Sequence, residues 1–211
     1  MAYRETEHTR QRKAETRQRL LEAARQLVAE QGFAAATAAA VAQRSGVAAG
    51  TIYRHFPNKS ELVAEVFRYA TEHEIAQVKV ASELGESASE HLHHAVHVFA
   101  QRALQGATLA YALIAEPVDP RVERERLKYR FAYAELFEDL IHSGIEAQEF
   151  SQQDTAVSAA ALVGLLAEAL VGPLSQRFRD QSRDSNTPDN PYLIEQLVTL
   201  SLRLLGANPS P

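Results

Sequence analysis

From Glu15 to Gln31 the apolar positions Leu20/Leu21, Ala24 and Leu27/Val28 return every three to four residues, and Gly32 follows them. This spacing lays one apolar stripe along an α-helix, and the glycine ends it. The next segment is short: Thr37 caps a helix whose Val41 faces inward, and Ser45-Gly46 makes a turn. A second short helix holds Thr51, Ile52, Tyr53 and Phe56 until Pro57-Asn58 breaks it. Asn58 then caps a long helix through Leu62, Val66 and Tyr69. Beyond it the pattern predicts helices at roughly 87–105, 107–115, 121–146, 153–177 and 191–205. The stretch "EPVDP" (116–120) is a break, because prolines three apart cannot continue a helix. Residues 179–190 read as a polar loop, Asn190-Pro191 opens the last helix, and Gly206 closes it. There is no strand alternation, internal repeat or glycine-rich phosphate loop. The expected fold class is therefore all-α, with about nine helices: an amino-terminal three-helix helix-turn-helix module and a larger helical domain.

Charge divides the chain in the same place. Residues 1–60 hold ten Lys and Arg against five Asp and Glu, whereas residues 61–211 hold twelve against twenty-two. A basic end on an acidic body suits contact with a polyanion at that end. The absence of cysteine removes disulfides and thiolate metal sites, and the polar amino terminus offers no apolar signal segment, so a cytoplasmic location is expected.

The stretch "TAAAVAQRSGVAAGTIYRHFPNKSELV" concentrates special chemistry. Gly46 permits a positive backbone torsion in the turn, and Gly50 lets a backbone come close to a partner. The order Thr, aliphatic-Ala, Ser-Gly-Val, Gly-Thr-Ile-Tyr, His-Phe and Lys resembles the DNA-binding segment of TetR-family transcriptional regulators. The resemblance spans about residues 13–73, with the helix-turn-helix at about 36–55; residues 74–211 match only in being helical and of suitable length. It implies that Thr37 and Arg44 grip the DNA backbone from the crossing helix. It places Ala48, Ala49, Gly50, Thr51, Tyr53, Arg54 and His55 on or beside the recognition helix, with Lys59 adding a phosphate contact. Val47, Ile52 and Phe56 belong to the small core. Two departures stand out: Ala48 replaces the family's Ser or Thr cap, and Ala38, Ala39 and Ala40 replace larger residues. With so few long side chains, affinity is expected to rest on phosphate contacts. Arg10, Arg12, Lys13 and Arg17 form a basic arm that either adds contacts or is simply solvated.

For residues 74–211 the resemblance implies effector binding and dimerisation. Such a module reads half a palindrome, so a homodimer is expected. The segment 156–174 is apolar on nearly every side and rich in small residues. It reads as a buried dimer helix in preference to a membrane span, because Glu168 lies inside it. Ala160, Gly164 and Ala167, with Leu193, Leu197 and Leu204 of the last helix, are the expected interface. Phe99, Tyr111, Leu113, Tyr129, Tyr133 and Phe137 are the expected lining of an effector pocket for an apolar or amphipathic ligand. Glu116 and Asp119, beside the proline break, are offered either for the ligand's polar end or, in preference, as exposed loop carboxylates. The stripe Glu90, His93, His94 and His97 includes the i, i+4 pair His93/His97 that could grip zinc or nickel, but it lies nearly opposite its helix's apolar face and reads as a solvent-facing or interface histidine patch in preference to a metal site. "RVERERLKYR" (121–130) reads as a solvated face with pairs such as Arg121–Glu125.

The expectation is a ligand-responsive, DNA-binding transcriptional regulator, a repressor of a palindromic operator in double-stranded DNA, with an unidentified small-molecule effector. No cofactor, no metal, no membrane and no enzymatic activity are expected. The alternatives are a sequence-tolerant DNA binder without effector, a metal-responsive regulator and an enzyme.

Overall fold

Thr37, Asn58, Ser87, Asp119 and Asn190 each stand one residue ahead of a helix, and each accepts a hydrogen bond from a backbone amide of its first turn. These caps satisfy amides that the helix itself leaves without acceptors, and they fix where the elements begin. The computed structural model describes residues 7–179 and 190–207. Among them it has nine α-helices and no strand. In order these are α1 (Glu7–Gln31), α2 (Ala38–Ser45), α3 (Ala49–His55), α4 (Lys59–Ala81), α5 (Ala88–Gln105), α6 (Ala107–Ile114), α7 (Pro120–Glu146), α8 (Thr155–Arg179) and α9 (Pro191–Leu204). A single 3₁₀ turn, Phe33–Ala35, joins α1 to α2. The polar loop expected at 179–190 falls almost wholly outside the described residues.

The all-α expectation holds. Most boundaries fall within two residues of expectation, but α1 is already helical at Glu7, eight residues ahead of the first residue its apolar period reveals. Arg10, Arg12, Lys13 and Arg17 therefore stand on a helix and not on a loose arm. Arg17 is committed further, pairing with Glu65 of α4 and lying 5.3 Å over the Phe56 ring.

Two apolar clusters organise the chain. The first gathers Leu20 and Leu27 of α1, Val41 of α2, Ile52 and Phe56 around α3, and Leu62 to Ala70 of α4. It also takes Leu109 and Ala112 from α6 and Val122 from α7, so the carboxy-terminal helices help to close the amino-terminal core. The second cluster combines Val78 of α4 with Leu92, Phe137, Leu162, Leu170, Ile194 and Val198 from α5, α7, α8 and α9. The change from one cluster to the other falls inside α4, with no linker between them.

Two local features bear on stability. Gly46 ends α2 at φ 70°, the left-handed conformation that suits a glycine. Gly144 of α7 has no such torsional need, but a Cβ there would overlap the buried ring of Phe150. Gly144→Ala is expected to lower stability by about 1–3 kcal/mol, because overpacking outweighs the ~1 kcal/mol gained in helix propensity. Urea unfolding checks the sign. At the start of α3, Ala48 has the extended backbone of a cap but supplies no side-chain bond. Ala48→Ser should raise stability by about 1 kcal/mol, seen as a higher denaturation midpoint at unchanged slope.

Candidate functional site

Most of the residues expected to contact DNA lie at the surface of the helix-turn-helix. Thr37, Arg44, Ala48, Ala49, Gly50, Tyr53, Arg54 and Lys59 are exposed, and Thr51 and His55 are half-buried. Tyr53 is 56% exposed, so its ring does not belong to the small core. Burial, with Lys13 and Arg17 close by, lowers the pKa of His55 and favours the neutral ring. Arg44 is already engaged: its guanidinium donates to both carboxylate oxygens of Glu30 at 2.6 Å, tying α2 to α1. Gly50 is unusual for the opposite reason. A Cβ there would meet nothing within 4 Å. A helical glycine costs ~1 kcal/mol relative to alanine, and nothing inside the chain requires it.

A cavity of about 320 Å³ opens between α1, α4, α5, α6, α7 and α8. Phe99, Leu113, Tyr129, Tyr133 and Phe137 all line it, with Phe67, Leu109 and Leu166. Tyr111 does not: it packs on the second cluster. Two positions from Leu109 and from Leu113, it sits about 200° round the helix from the face they share. Ring contacts build the wall, Phe99 meeting Tyr133 edge-on at 5.4 Å.

The wall is more charged than the sequence pattern suggests. Arg25, Arg102, Arg126, Arg130 and Glu74 all reach it. Arg102 holds Glu74 through two hydrogen bonds of 2.6 and 3.0 Å. Arg25 does the same for Glu22, and its hydrogen bonds hold that carboxyl down to about 2. The Tyr129 hydroxyl donates to Glu72 at 2.9 Å, whereas the Tyr133 hydroxyl, whose pKa burial raises, makes no hydrogen bond to a described residue. These charged groups come from four helices far apart in sequence, which is why no motif marks them.

The run 121–130 is not a solvated face throughout. Glu125 and Arg126 are buried, Arg121 pairs with Glu61 rather than Glu125, and Glu125 pairs with Arg68 and Lys128, each at 3.1 Å. Arg126 donates to the carbonyls of Leu113 (2.9 Å), Ala112 (3.2 Å) and Glu116 (2.7 Å) and pairs with Glu123. Glu116 requires the main correction. It is neither in the cavity lining nor an exposed loop carboxylate: its Oε2 accepts the amide of Phe33 at 2.9 Å. Gly32, at φ 79°, lies so close that a Cβ there would come 2.9 Å from that oxygen. Asp119 is exposed, as expected, and outside the cavity lining; its carboxylate caps α7, accepting from the amides of Arg121 and Val122 and from Ser60.

The expected dimer residues separate. Ala160, Gly164 and Leu204 are exposed and Leu193 is half-buried. Leu197, 1% exposed, belongs to the protomer's own core, and Ala167 lines the cavity. On α9, Leu193, Leu200 and Leu204 point within about 20° of one direction, whereas Ile194, Val198 and Ser201 turn inward about 80–140° away. On α8, Val157 is 65% exposed, and Ala156, Ala161, Glu168 and Gly172 share its outer side. Thr155–Ser175 is the one described helix long and apolar enough to cross a membrane by length and composition.

His93, His94 and His97 are half-buried and so are not simply solvent-facing; the His93 and His97 rings stack at 6.0 Å. Glu90 belongs to the capping box of Ser87. No group of three or more His, Asp or Glu among the described residues could hold a metal ion.

Residues 20–66 match the family model for bacterial regulatory proteins of the TetR family. Over 59 residues the chain is 39% identical to the HTH-type transcriptional regulator AcrR of Shigella flexneri, a match spanning 28% of this chain and 27% of that protein. Over 144 residues it is 27% identical to the HTH-type transcriptional repressor KstR2 of Rhodococcus jostii (strain RHA1), covering 65% of this chain and 69% of that one. The fold extends over nearly the whole chain. The regulator FadR of Bacillus subtilis, solved in complex with stearoyl-CoA, superposes with a TM-score of 0.72 at 19% identity, covering 91% of this chain and 99% of that one. The matched residues coincide with the helix-turn-helix and the first turns of α4, so residues 20–66 form a helix-turn-helix module of the kind found in bacterial regulatory proteins of the TetR family.

Proposed function

We propose that this protein is a homodimeric, cytoplasmic repressor that binds a palindromic operator in double-stranded DNA and leaves it when a small apolar or amphipathic effector enters the cavity. The observation that carries the DNA reading is Gly50. A glycine that the fold does not need, on an exposed helix flanked by Tyr53, Arg54 and Lys59, fits a surface that another backbone must approach closely. The regulator of similar fold solved with stearoyl-CoA supports the effector reading. No enzymatic role is needed for either part.

The outer side of α8, with Leu193, Leu200 and Leu204 of α9, is the face we assign to the dimer. Small residues there allow close helix packing. In lipid the same face would expose Glu168 at a cost of about 2.5–3.5 kcal/mol, which favours a second protomer over a membrane.

Coupling follows from the cavity wall. Arg126 and Phe67 both line it, and Phe67 stacks on Phe33 at 5.9 Å. Arg126 also fixes the end of α6, whose Glu116 holds the amide of Phe33. An effector that displaces this wall would move the turn into α2 together with α4, and so change the spacing between the two recognition helices of a dimer. It acts only if it prefers the arrangement that no longer fits DNA.

Selection of bound sequences from a random duplex pool at near-physiological salt tests this reading. Recovery of one inverted repeat is the expected result; no enrichment would point instead to a sequence-tolerant binder, consistent with the alanines at 38–40, 48 and 49. On the recovered site, Tyr53→Ala with Lys59→Ala should weaken binding at least ~10-fold and lower the magnitude of the salt slope by about one, with dimerisation and helix content unchanged. Glu116→Ala leaves the part-buried amide of Phe33 without its acceptor and should cost about 1–3 kcal/mol. Hydrogen exchange should then accelerate at Phe33 and along α2 while α8 stays protected, and Glu116→Gln, which keeps an acceptor, should restore most of the protection.

A further inference from the structure

The charge of the cavity wall runs against that of the domain around it. Residues 61–211 carry twelve basic against twenty-two acidic side chains, yet they give the wall three arginines and one glutamate, and Arg25 of α1 adds a fourth arginine. Three of the arginines are accounted for: Arg25 by Glu22, Arg102 by Glu74, and Arg126 by Glu123 and three carbonyls. Arg130 is different. It is exposed, makes no ion pair or hydrogen bond with a described residue, and stands one helical turn from Arg126, whose charge it opposes. The Tyr133 hydroxyl is also without a hydrogen-bond partner among the described residues, and its side chain is half-buried where Arg130 is exposed. Positions 126, 129, 130, 133 and 137 share the α7 face that lines the cavity. A cation without a counterion and a donor without an acceptor thus face one apolar void, one turn apart.

We propose that the effector is an anionic amphipath. Its apolar body fills the cavity, its anionic head pairs with Arg130 at the rim, and Tyr133 donates to an oxygen on the inner side of that head. This rests on the effector reading of the cavity and deepens it. A cationic head is disfavoured by the net positive wall, and a neutral head leaves Arg130 without the charge-assisted bond that a carboxylate or phosphate supplies. At about 320 Å³ the void lies at the small end of ligand pockets, ~300–1,000 Å³, so it suits a slim chain with any bulky head outside the rim.

The test uses the full-length protein and four probes of one chain length: dodecanoate, its coenzyme A thioester, dodecan-1-ol and dodecylamine, titrated calorimetrically below their micellar concentrations. Dodecanoate or the thioester should bind at least about tenfold more tightly than the alcohol, with the amine weakest. Whichever of the two anions binds better identifies a carboxylate or a phosphate-bearing head. Arg130→Gln should collapse the ratio of anion to alcohol affinity toward one, and Arg130→Lys should restore part of it. Equal binding of alcohol and both anions to the parent protein, or an undiminished ratio in Arg130→Gln, overturns the proposal. Val163→Trp, which fills the void from α8, separates this from failure of the cavity reading. Alcohol binding that Val163→Trp blocks, without anion preference in the parent, removes only the head-group assignment. Binding that survives in a folded Val163→Trp variant, or no binding of any probe to the parent, removes both.

Discussion

A buried guanidinium that must place all its donors is the constraint from which much of this molecule follows. Arg126 is only 9% exposed, and burial works against its charge. Its charge cannot be given up, so the fold has to supply acceptors. A helix end is a natural source, because its last carbonyls have no amides left to receive. Arg126 takes two of them from α6 and a third from Glu116 just beyond. The end of α6 and the turn before α7 are thereby set in one geometry. That geometry delivers the Glu116 carboxylate to the amide of Phe33, where Gly32 leaves room for it. An electrostatic requirement at the turn between α6 and α7 thus reaches the entrance of the helix-turn-helix.

The same logic extends along α4. Glu61, Glu65 and Arg68 form a charged seam that joins Arg17 of α1 to Arg121 and Glu125 of α7. Partly exposed pairs of this kind contribute little singly. As a connected set around one helix they fix orientation more than they add stability. Since α4 also enters both apolar clusters, it joins the cavity to the helix-turn-helix as one continuous packed helix. Movement at one end has to be carried by tilting packed helices.

What the sequence makes legible is local. Helix starts announce themselves through Thr37, Asn58 and Asn190, and the order of residues 37–63 marks the helix-turn-helix directly. The period of apolar residues finds Phe99, Leu113 and Phe137 on the cavity wall. It cannot find the beginning of α1, because Glu7 to Lys13 carry no apolar stripe to betray a helix. Nor can it find pairings: Glu116 acts on an amide 83 residues away, and Arg102 meets a glutamate 28 residues away. Leu197 and Leu204 belong to the same apolar arc of α9, yet a modest rotation sends one into the core and leaves the other at the surface. Patterning says that a face is apolar; only packing says which part of it the protomer keeps for itself.

Gly50 has a consequence for how such a chain would change over generations. Selection that asked only for a folded protein would readily accept alanine there, since the site is open and the helix would be firmer for it. If Gly50 meets DNA as proposed, the glycine records a demand made from outside the polypeptide, and stability and purpose pull this residue in opposite directions. A lineage released from its partner should lose the glycine early, before any residue of the apolar core begins to drift.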